Sequence, residues 1–456
     1  MISQTTPSKF KPYTRQTIFL ARQWQWLRAD LQEAVQVVSH VLPFRTNQYV
    51  LDQLIDWDKV EDDPIYRLTF PHRDMLPAEE YEQLRELVLF KRNDAATAAA
   101  VRRIRARMNP HPAGQVTHNV PRLDGVALRG LQHKYAQTVQ FFPSAAQACH
   151  AHCTYCSRWP QFVTMDAMKF QAHASNALVA YLRAHPEVTD VLITGGDPLV
   201  MPASALAECI EPLLAPELAH IRSIRIGTKS VAYWPHRFVT DPDSDDLLRL
   251  FERVAASGKS LAVMGHYSHA VELRNEVAQQ AVRRIVASGA ELRMQGPLVR
   301  HVNDDPATWA ELWSTGQELG AIPGYMFVER DTGPQDYFKV PLARAHAIFL
   351  AACQAVPGLA GGVNGPSMST HAGRVGVDGI DTIDGEKVFA LRFLEARNRD
   401  WVGRRFFARF DPGATWIDEL APAFGEKAFF FESGDAAGAA VPNGRVIPIA
   451  RALELA

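Results

Sequence analysis

Cysteine is scarce in this chain, with five residues in 456, and the number is odd. Disulfide-stabilised secreted domains carry cysteine at much higher density, so a disulfide framework is excluded and a reducing compartment is expected. Long apolar runs are also missing: the longest, AHAIFLAACQAV at 345–356, is far too short to span a bilayer. The amino-terminal MISQTTPSKFKPYTRQ lacks the apolar core of a secretory signal. We therefore predict a cytoplasmic protein that does not cross a membrane.

No excess of one charge sign is present either. The chain has 48 basic and 50 acidic residues, interleaved, and a formal net charge of −2. Nucleic-acid-binding proteins usually concentrate positive charge, so no nucleic-acid partner is expected. The hydrophobic fraction of 47% is typical of a globular protein with a substantial core.

Changes in the residue pattern along the sequence predict four regions. Residues 1–110 have apolar residues at helical spacing, and residues 111–135 form a Pro/Gly-rich linker or wrapping loop. Residues 136–358 alternate between short β-like and helical runs, with a helix expected at about 166–184. Residues 359–456 are expected to form a small α+β appendage.

Six strand–helix units make up the region 136–358, which predicts an α/β fold with a parallel sheet. Six units fall short of the eight of a full TIM barrel, so a partial (β/α)6 barrel is expected. The helical run DSDDLLRLFERVAASG, for example, begins with acidic residues and ends at Gly258, as start and stop signals require. The predicted strands are QTVQFF, DVLITGG, SIRIGT, LAVMGHYSH, ELRMQGPLV and PGYMFVER.

Three unusual loops follow the first, second and fourth of these strands: ACHAHCTYCSRW, TGGDP and GHYSH. Parallel α/β folds carry their chemistry at the carboxyl ends of the strands. The three loops are therefore expected to share one edge of the sheet and to form the functional site.

The first loop has the spacing Cys149-x3-Cys153-x2-Cys156. Three thiolates on one short loop can bind three irons of a cubane cluster and leave the fourth iron open. Zinc is an alternative, with His150 or His152 as the fourth ligand, although structural zinc sites usually draw ligands from two separated pairs. A coincidental cluster of buried thiols is the third interpretation.

The CxxxCxxC spacing, with Tyr155 just before the last cysteine, resembles the signature of the radical S-adenosylmethionine (SAM) superfamily. Gly195, Gly196 and Asp197 resemble the GGE-type element of that superfamily, which receives the amino group of SAM. The resemblance implies a TIM-type barrel that binds a [4Fe–4S] cluster through the three cysteines and SAM through the open iron.

Four further segments resemble the lysine 2,3-aminomutase family over roughly residues 110–400: DVLITGGDPLV, SIRIGTKSVAYWPHRFV, GHYSHAVEL and QGPLVRHVNDD. The family combines SAM with pyridoxal phosphate (PLP) to move an amino group within an amino acid. The resemblance implies that Arg158 binds the substrate carboxylate. A guanidinium group suits this role because it can form two parallel hydrogen bonds to a carboxylate. It also places His266, Gln295 and Asn303 near the cofactors.

The chain departs from this family at the residues that matter most for PLP. The position of the PLP lysine falls on Asn364, which cannot form an internal aldimine. An acidic position for the distal ammonium of lysine falls on Arg330, with Asp331 one residue further on. Lys229 or Lys339 could replace the missing lysine.

Three hypotheses follow. The first is a radical SAM enzyme that acts on an amino-acid-like carboxylate without PLP, by isomerisation, elimination or dehydrogenation. The second is a PLP-dependent 2,3-aminomutase of lysine or, because of Arg330, of glutamate. The third is a non-catalytic iron–sulfur binding or regulatory protein. The enzymatic hypotheses require an electron donor such as flavodoxin or ferredoxin, and a homo-oligomer stays open.

Overall fold

The computed structural model describes residues 9–110, 116–163, 168–173 and 175–432. Its centre is a mixed sheet of eleven strands, whose spatial order follows the chain from β5 to β15. Two small antiparallel pairs, β1–β2 and the hairpin β3–β4, lie outside this sheet. The strands are β1 Pro12–Thr14, β2 Arg45–Asn47, β3 Arg122–Leu123, β4 Val126–Ala127, β5 Leu131–Tyr135, β6 Thr138–Phe141, β7 Asp190–Ile193, β8 Ser223–Thr228, β9 Ser260–His266, β10 Glu291–Leu298, β11 Ile322–Val328, β12 Asn364–Ser369, β13 Gly373–Ile383, β14 Glu386–Ala396 and β15 Arg405–Arg409.

The middle of the sheet is parallel from β6 to β12, and both ends are antiparallel. All six predicted strands are present as β6 to β11, and β12 adds a seventh parallel strand. The α/β class is therefore confirmed. Closure into a (β/α)6 barrel stays a prediction.

Helices alternate with the parallel strands and cover the sheet. The α-helices are α1 Ala29–Val38, α2 Gln48–Gln53, α3 Pro64–Thr69, α4 Ala78–Arg85, α5 Asp94–Met108, α6 Trp159–Phe162, α7 Asn176–Ala184, α8 Ala203–Ile210, α9 Ser230–Tyr233, α10 Ser244–Ala256, α11 Glu276–Ala287, α12 Pro306–Glu318, α13 Gln335–Phe338 and α14 Leu342–Gln354. No helix of the described residues is long and apolar enough to cross a membrane.

The unit β8–α10 shows why these sequences fold as they do. In β8, Ile224 and Ile226 are buried under the covering helices, while Arg225 and Gly227 face a central cavity. This is the period-two alternation of a strand with two different faces. Helix α10 then starts among acidic residues, and the chain leaves it at Gly258, whose φ of +80° a side chain rarely adopts.

The two ends of the sheet approach each other in space. The backbone N–H of Ala136, after β5, donates a hydrogen bond to the carbonyl of Ala396, the last residue of β14, at 3.4 Å. The Nζ of Lys134 in β5 donates to the hydroxyl of Ser369, the last residue of β12, at 2.7 Å. The sheet therefore curls around the cavity.

Three regional expectations differ from the structure. Residues 131–135, expected in the linker, form strand β5, because they pair with β6 through a tight turn. Residues 364–409, expected in a separate appendage, extend the same sheet through β12 to β15. The helix expected at about 166–184 runs only over 176–184, and residues 164–167 and 174 lie outside the described residues, as do 1–8, 111–115 and 433–456.

Candidate active site

A cavity of about 400 Å³ lies at the carboxyl ends of the parallel strands. Each strand from β6 to β12 contributes to its wall, either from its last residues or from the loop that follows. Most of the sequence-predicted site residues line this cavity: Cys149, Cys153, Cys156, Arg158, Gly195, Gly196, Asp197, Lys229, His266, Gln295 and Arg330. The shared edge of the sheet that the sequence predicts is present.

The cysteine loop is held from outside by the amino-terminal region. The backbone N–H of His152 donates to the carbonyl of Arg45 at 2.8 Å, and that of Thr154 donates to the carbonyl of Leu68 at 2.9 Å. The buried side chain of Asn47 donates to the carbonyl of His150 at 3.2 Å. These bonds satisfy the loop backbone and fix its path, so the amino-terminal helices position the cysteines.

The two histidines of the loop do not face a common ligand position. His150 Nδ1 hydrogen-bonds the hydroxyl of Ser230 at 2.9 Å, and the ring of His152 stacks on Phe162 with centroids 4.7 Å apart. Burial lowers the pKa of each imidazole to about 3, so both rings are neutral. No group of three or more His, Cys, Asp or Glu in the described residues is arranged around a single metal ion.

The three cysteines are free thiols that line the same cavity. Burial raises the pKa of all three, to about 12 for Cys156, and the neighbouring Cys153 adds to that shift. The thiols are therefore protonated at neutral pH unless a cation stabilises the thiolates. Three free thiols that line one cavity match the number of protein ligands of a cubane cluster with an open iron, and cluster binding stays a prediction.

The two glycines after β7 allow the second loop to pack directly on the cysteine loop. A Cβ at Gly196 would lie 2.5 Å from the carbonyl oxygen of Ala148, the residue before Cys149. At Gly195, where φ is +155°, a Cβ would lie 2.7 Å from the side chain of Gln147. Close backbone approach thus requires glycine at position 196, and the positive φ favours glycine at position 195.

Asp197 follows these glycines, and its carboxylate is occupied by protein donors. Its Oδ1 accepts from the hydroxyl of Thr228 at 2.6 Å and from the N–H of Leu199 at 3.0 Å. Its Oδ2 accepts from the N–H of Lys229 at 2.9 Å and the hydroxyl of Ser230 at 3.0 Å. Burial raises the pKa of Asp197, and these hydrogen bonds oppose the shift. The carboxylate therefore locks the β7 loop onto the β8 loop.

Lys229 and His266 also line the cavity. Lys229 Nζ donates to Glu272 at 2.8 Å and to the hydroxyl of Ser268 at 3.2 Å. His266 hydrogen-bonds and stacks with Tyr155 of the cysteine loop. Burial, followed by the charge of Lys229, lowers the pKa of His266 well below its usual value, so the ring is neutral.

Two arginines bring positive charge into the cavity without an acidic partner. Neither Arg158 nor Arg330 forms an ion pair with a carboxylate in the part of the chain that the structure describes. Arg158 lies over the ring of Phe142, 4.1 Å from its centroid, and its buried Nη1 has no hydrogen-bond partner among the described residues. Burial lowers the pKa of Arg158 to about 10, so the guanidinium stays charged at neutral pH.

Three predicted residues lie elsewhere. Asn303 is buried beneath the cavity, where its side chain donates to the carbonyls of Ser268 and Pro297, both at 2.9 Å, and braces the chain after β10. Asp331 lies outside the wall of the cavity, next to Arg330. Asn364 is exposed at the start of β12, in register with Tyr325, a cavity residue.

Two residues that sequence reasoning missed lie at the site. Glu329 lines the cavity with 6% of its surface exposed; its Oε1 has no partner among the described residues, and burial raises its pKa well above the usual range. Lys134 lines an adjoining cavity of about 170 Å³, and burial lowers its pKa to about 7. Glu329 is the second-last residue of the predicted strand PGYMFVER, so the rule that strand ends carry the chemistry could have identified it. No feature of the sequence pointed to Lys134, because it lies in the region that was predicted to be a linker.

No protein-family model matches the chain. Among solved structures, SuiB of Streptococcus suis bound to the precursor peptide SuiA matches with a TM-score of 0.34 and 12% identity, over 55% of this chain and 49% of that one. A radical SAM methyltransferase from Sphaerobacter thermophilus matches with a TM-score of 0.32 and 16% identity, over 62% of this chain and 89% of that one.

Relatives found by sequence share a larger fraction of identical residues with the chain than these two structures do. The chain is 29% identical over 393 residues to "Putative L-lysine 2,3-aminomutase" of Aquifex aeolicus, over 86% of this chain and 91% of that protein. It is 30% identical over 199 residues to L-lysine 2,3-aminomutase of Escherichia coli, over 44% of this chain and 54% of that protein. It is 25% identical over 191 residues to glutamate 2,3-aminomutase of Clostridioides difficile, over 42% of each chain.

The CxxxCxxC loop follows the first parallel strand of an α/β sheet, and the GGD turn follows the second. The chain is a homologue of proteins named L-lysine 2,3-aminomutase.

Proposed function

We propose that this protein is a radical SAM enzyme that abstracts hydrogen from an amino-acid-like carboxylate substrate without the help of PLP. The observation that carries the proposal is a single cavity that brings together three free thiols, a glycine-lined turn and an unpaired, charged arginine. The homologues support the enzyme class, and the substrate and reaction are part of the proposal.

A [4Fe–4S] cluster with SAM, when bound, supplies reductive cleavage of SAM and a 5′-deoxyadenosyl radical that removes hydrogen from a nearby carbon. Cys149, Cys153 and Cys156 would hold the cluster. The Gly195–Gly196 turn keeps the wall beside it free of side chains. The curled sheet and the amino-terminal helices surround the cavity, which limits the access of water to a reactive radical.

Arg158 and Arg330 suit the carboxylate end of the substrate. A guanidinium can hold a carboxylate by two parallel hydrogen bonds, and neither arginine has a carboxylate partner among the residues that the structure describes. A substrate carboxylate would satisfy the free Nη1 of Arg158 and offset the burial of its charge. Burial raises the pKa of the Glu329 carboxyl, which in its protonated form offers a hydrogen-bond donor to a polar group of the same substrate.

The positions considered for covalent attachment of PLP support an enzyme that forms no aldimine with it. Asn364 provides no amine, and Lys229 is held by Glu272. Lys339 is tied to Asp336 at 2.6 Å and does not line the cavity. None of these three positions offers an amine that is free to react, so covalent attachment of PLP there is not favoured.

The proposal is tested with Arg158→Lys in anaerobically reconstituted enzyme. We expect amino acids to stimulate 5′-deoxyadenosine formation in the wild type. In Arg158→Lys we expect the apparent KM for the amino acid to rise by about tenfold to a hundredfold, because lysine cannot form the bidentate contact. The exposed Arg222→Lys is the matched control. Unchanged stimulation in Arg158→Lys would show that the carboxylate is not bound there.

A second candidate function is an amino acid 2,3-aminomutase that uses PLP. The relatives carry that name, and Asn364, at the position of the family's PLP lysine, is in register with Tyr325 of the cavity wall. In this candidate PLP would bind non-covalently, and Arg330 would favour an acidic amino acid such as glutamate.

A further inference from the structure

A second, open groove lies on the outer side of the cysteine loop, with a volume of about 580 Å³. It runs between the amino-terminal region, helix α5 and the loop. Its lining includes Arg15, His40, Arg45, Arg105, His152 and Phe162. None of these residues takes part in the proposed binding of SAM or substrate.

The groove and the central cavity are separated by a thin wall. Pro43, His152 and Phe162 line both spaces, and the rings of His152 and Phe162 stack with their centroids 4.7 Å apart. His152 lies between Cys149 and Cys153 in the sequence. The floor of the groove is therefore the back of the loop that carries the candidate cluster ligands.

The groove concentrates positive charge that the protein does not neutralise. In the described part of the chain, Arg15, Arg45 and Arg105 form no ion pair with a carboxylate, and Asp94 is the one acidic residue of the lining. Arg105 donates only to the carbonyls of Val41 and His40. Half-buried guanidinium groups held together in this way favour an anionic partner.

The mutual repulsion within the groove supports this reading. Burial lowers the pKa of Arg105 to about 10, and the charge of Arg15 adds to the shift. Burial also lowers the pKa of His40 to about 4, with further contributions from Arg15 and Arg105. A surface that holds its positive charges at such a cost is one that an acidic surface would stabilise on contact.

We propose that this groove is the docking site for an acidic one-electron carrier protein, which reduces the cluster through the wall formed by His152 and Phe162. The inference rests on the proposed function, because the reaction needs an electron that the substrate does not supply. The carrier donates one electron and is thereby oxidised. That electron passes by way of the cysteine loop to SAM, whose C–S bond breaks to give methionine and the 5′-deoxyadenosyl radical. A small electron-transfer interface of this kind relies on charge complementarity for speed and selectivity.

The test uses flavodoxin as the acidic carrier and measures two quantities in the reconstituted protein. The first is the affinity for oxidised flavodoxin at several ionic strengths, which involves no turnover. The second is 5′-deoxyadenosine formation driven either by reduced flavodoxin or by dithionite, a small reductant that needs no docking site.

We expect Arg15→Glu to weaken flavodoxin binding by about tenfold or more and to flatten its dependence on salt. Cleavage of SAM driven by flavodoxin falls, and cleavage driven by dithionite is unchanged. The exposed Arg222→Glu, at the opposite edge of the sheet, leaves all of these values as in the wild type. Arg15→Gln gives a smaller loss in the same direction and serves if the glutamate variant does not fold.

Wild-type affinity for flavodoxin in Arg15→Glu would overturn the docking site. So would binding of inorganic phosphate in the groove that the substitution removes while flavodoxin binding persists, since the groove would then bind a small anion. If the wild type cleaves no SAM even with dithionite, the proposed function fails. In that case the affinity for oxidised flavodoxin, which requires no turnover, still tests the docking site.

Discussion

The ammonium group of Lys229 and the carboxylate of Glu272 form an ion pair at 2.8 Å inside the protein, and Glu272 is fully buried. The second carboxylate oxygen accepts from the backbone N–H of Ser268 at 2.6 Å and of His269 at 3.2 Å. The pair ties the end of β8 to the loop after β9 on one wall of the cavity. Lys229 therefore acts as part of that wall.

Removing the charge of Glu272 should destabilise the fold. Glu272→Gln leaves the Lys229 ammonium buried beside a neutral amide, and we expect a loss of about 3–5 kcal/mol in the free energy of unfolding. Urea denaturation measures it. Glu217→Gln, which breaks the exposed pair with Arg183, is the control and should change the free energy of unfolding far less, because solvent screens an exposed pair. Equal effects in the two variants would contradict a structural role for the buried pair.

Each cysteine of the loop should be required for cluster binding. We expect Cys149→Ala, Cys153→Ala and Cys156→Ala to lower the iron content of reconstituted protein from about four per chain to near zero, with loss of SAM cleavage. Cys353→Ala, on helix α14, is the control and should retain iron. Iron and sulfide analysis decides the matter. Full iron content after any one loop substitution would remove that cysteine from the ligand set.

The local parts of this site could be predicted from the sequence. Strands β6 to β11 are short, apolar and β-branched, and the cysteine spacing and the GGD turn are contained within a few residues. Lys134 could not be predicted, because it reaches the site only where the curled sheet brings β5 beside Ser369, more than two hundred residues away. The occupation of Asp197 by four protein donors depends in the same way on contacts between separate loops.

Asn303 and Glu329 show a second limit. Asn303 matched a family motif, yet its amide is used to satisfy backbone carbonyls beneath the cavity. Glu329 matched nothing, yet it lines the cavity beside Arg330. A motif gives the type of residue at a position, and only the packing of neighbouring loops decides whether its side chain reaches the site.

Burial of Asp63 should make the stability depend on pH. Its carboxyl caps helix α3 by accepting from the N–H of Tyr66, and burial raises its pKa to about 6 from 3.8, with nearby Asp56 adding to the shift. Because the folded state binds this proton more tightly, the contribution of Asp63 to stability is fully present below about pH 4 and is lost as the pH rises through about 6, by roughly 3 kcal/mol.

Asp63→Asn tests this dependence, since asparagine keeps an acceptor for Tyr66 and does not titrate. We expect the free energy of unfolding to vary less between pH 4 and pH 6 than in the wild type. The exposed Asp58→Asn should leave the wild-type slope in place. An unchanged slope in Asp63→Asn would assign the pH dependence to other groups.

Restoring a lysine at position 364 should create a PLP site. Asn364 is in register with Tyr325 of the cavity wall, and we expect the longer side chain of a lysine at this position to reach the cavity. With added PLP, we expect Asn364→Lys to show the absorbance of an imine, reducible by borohydride, and the wild type to show none. Leu359→Lys, an exposed position nearby, is the control. A band in the wild type would mean that another lysine binds PLP.

The most direct test of the account is the formation of 5′-deoxyadenosine by anaerobically reconstituted, reduced enzyme with SAM and a panel of amino acids, with and without PLP. We predict that one carboxylate substrate raises the rate and that PLP makes no difference. A rate that rises only with PLP would identify a 2,3-aminomutase. If no amino acid raises it under either condition, the catalytic account is contradicted and a binding or regulatory iron–sulfur protein replaces it.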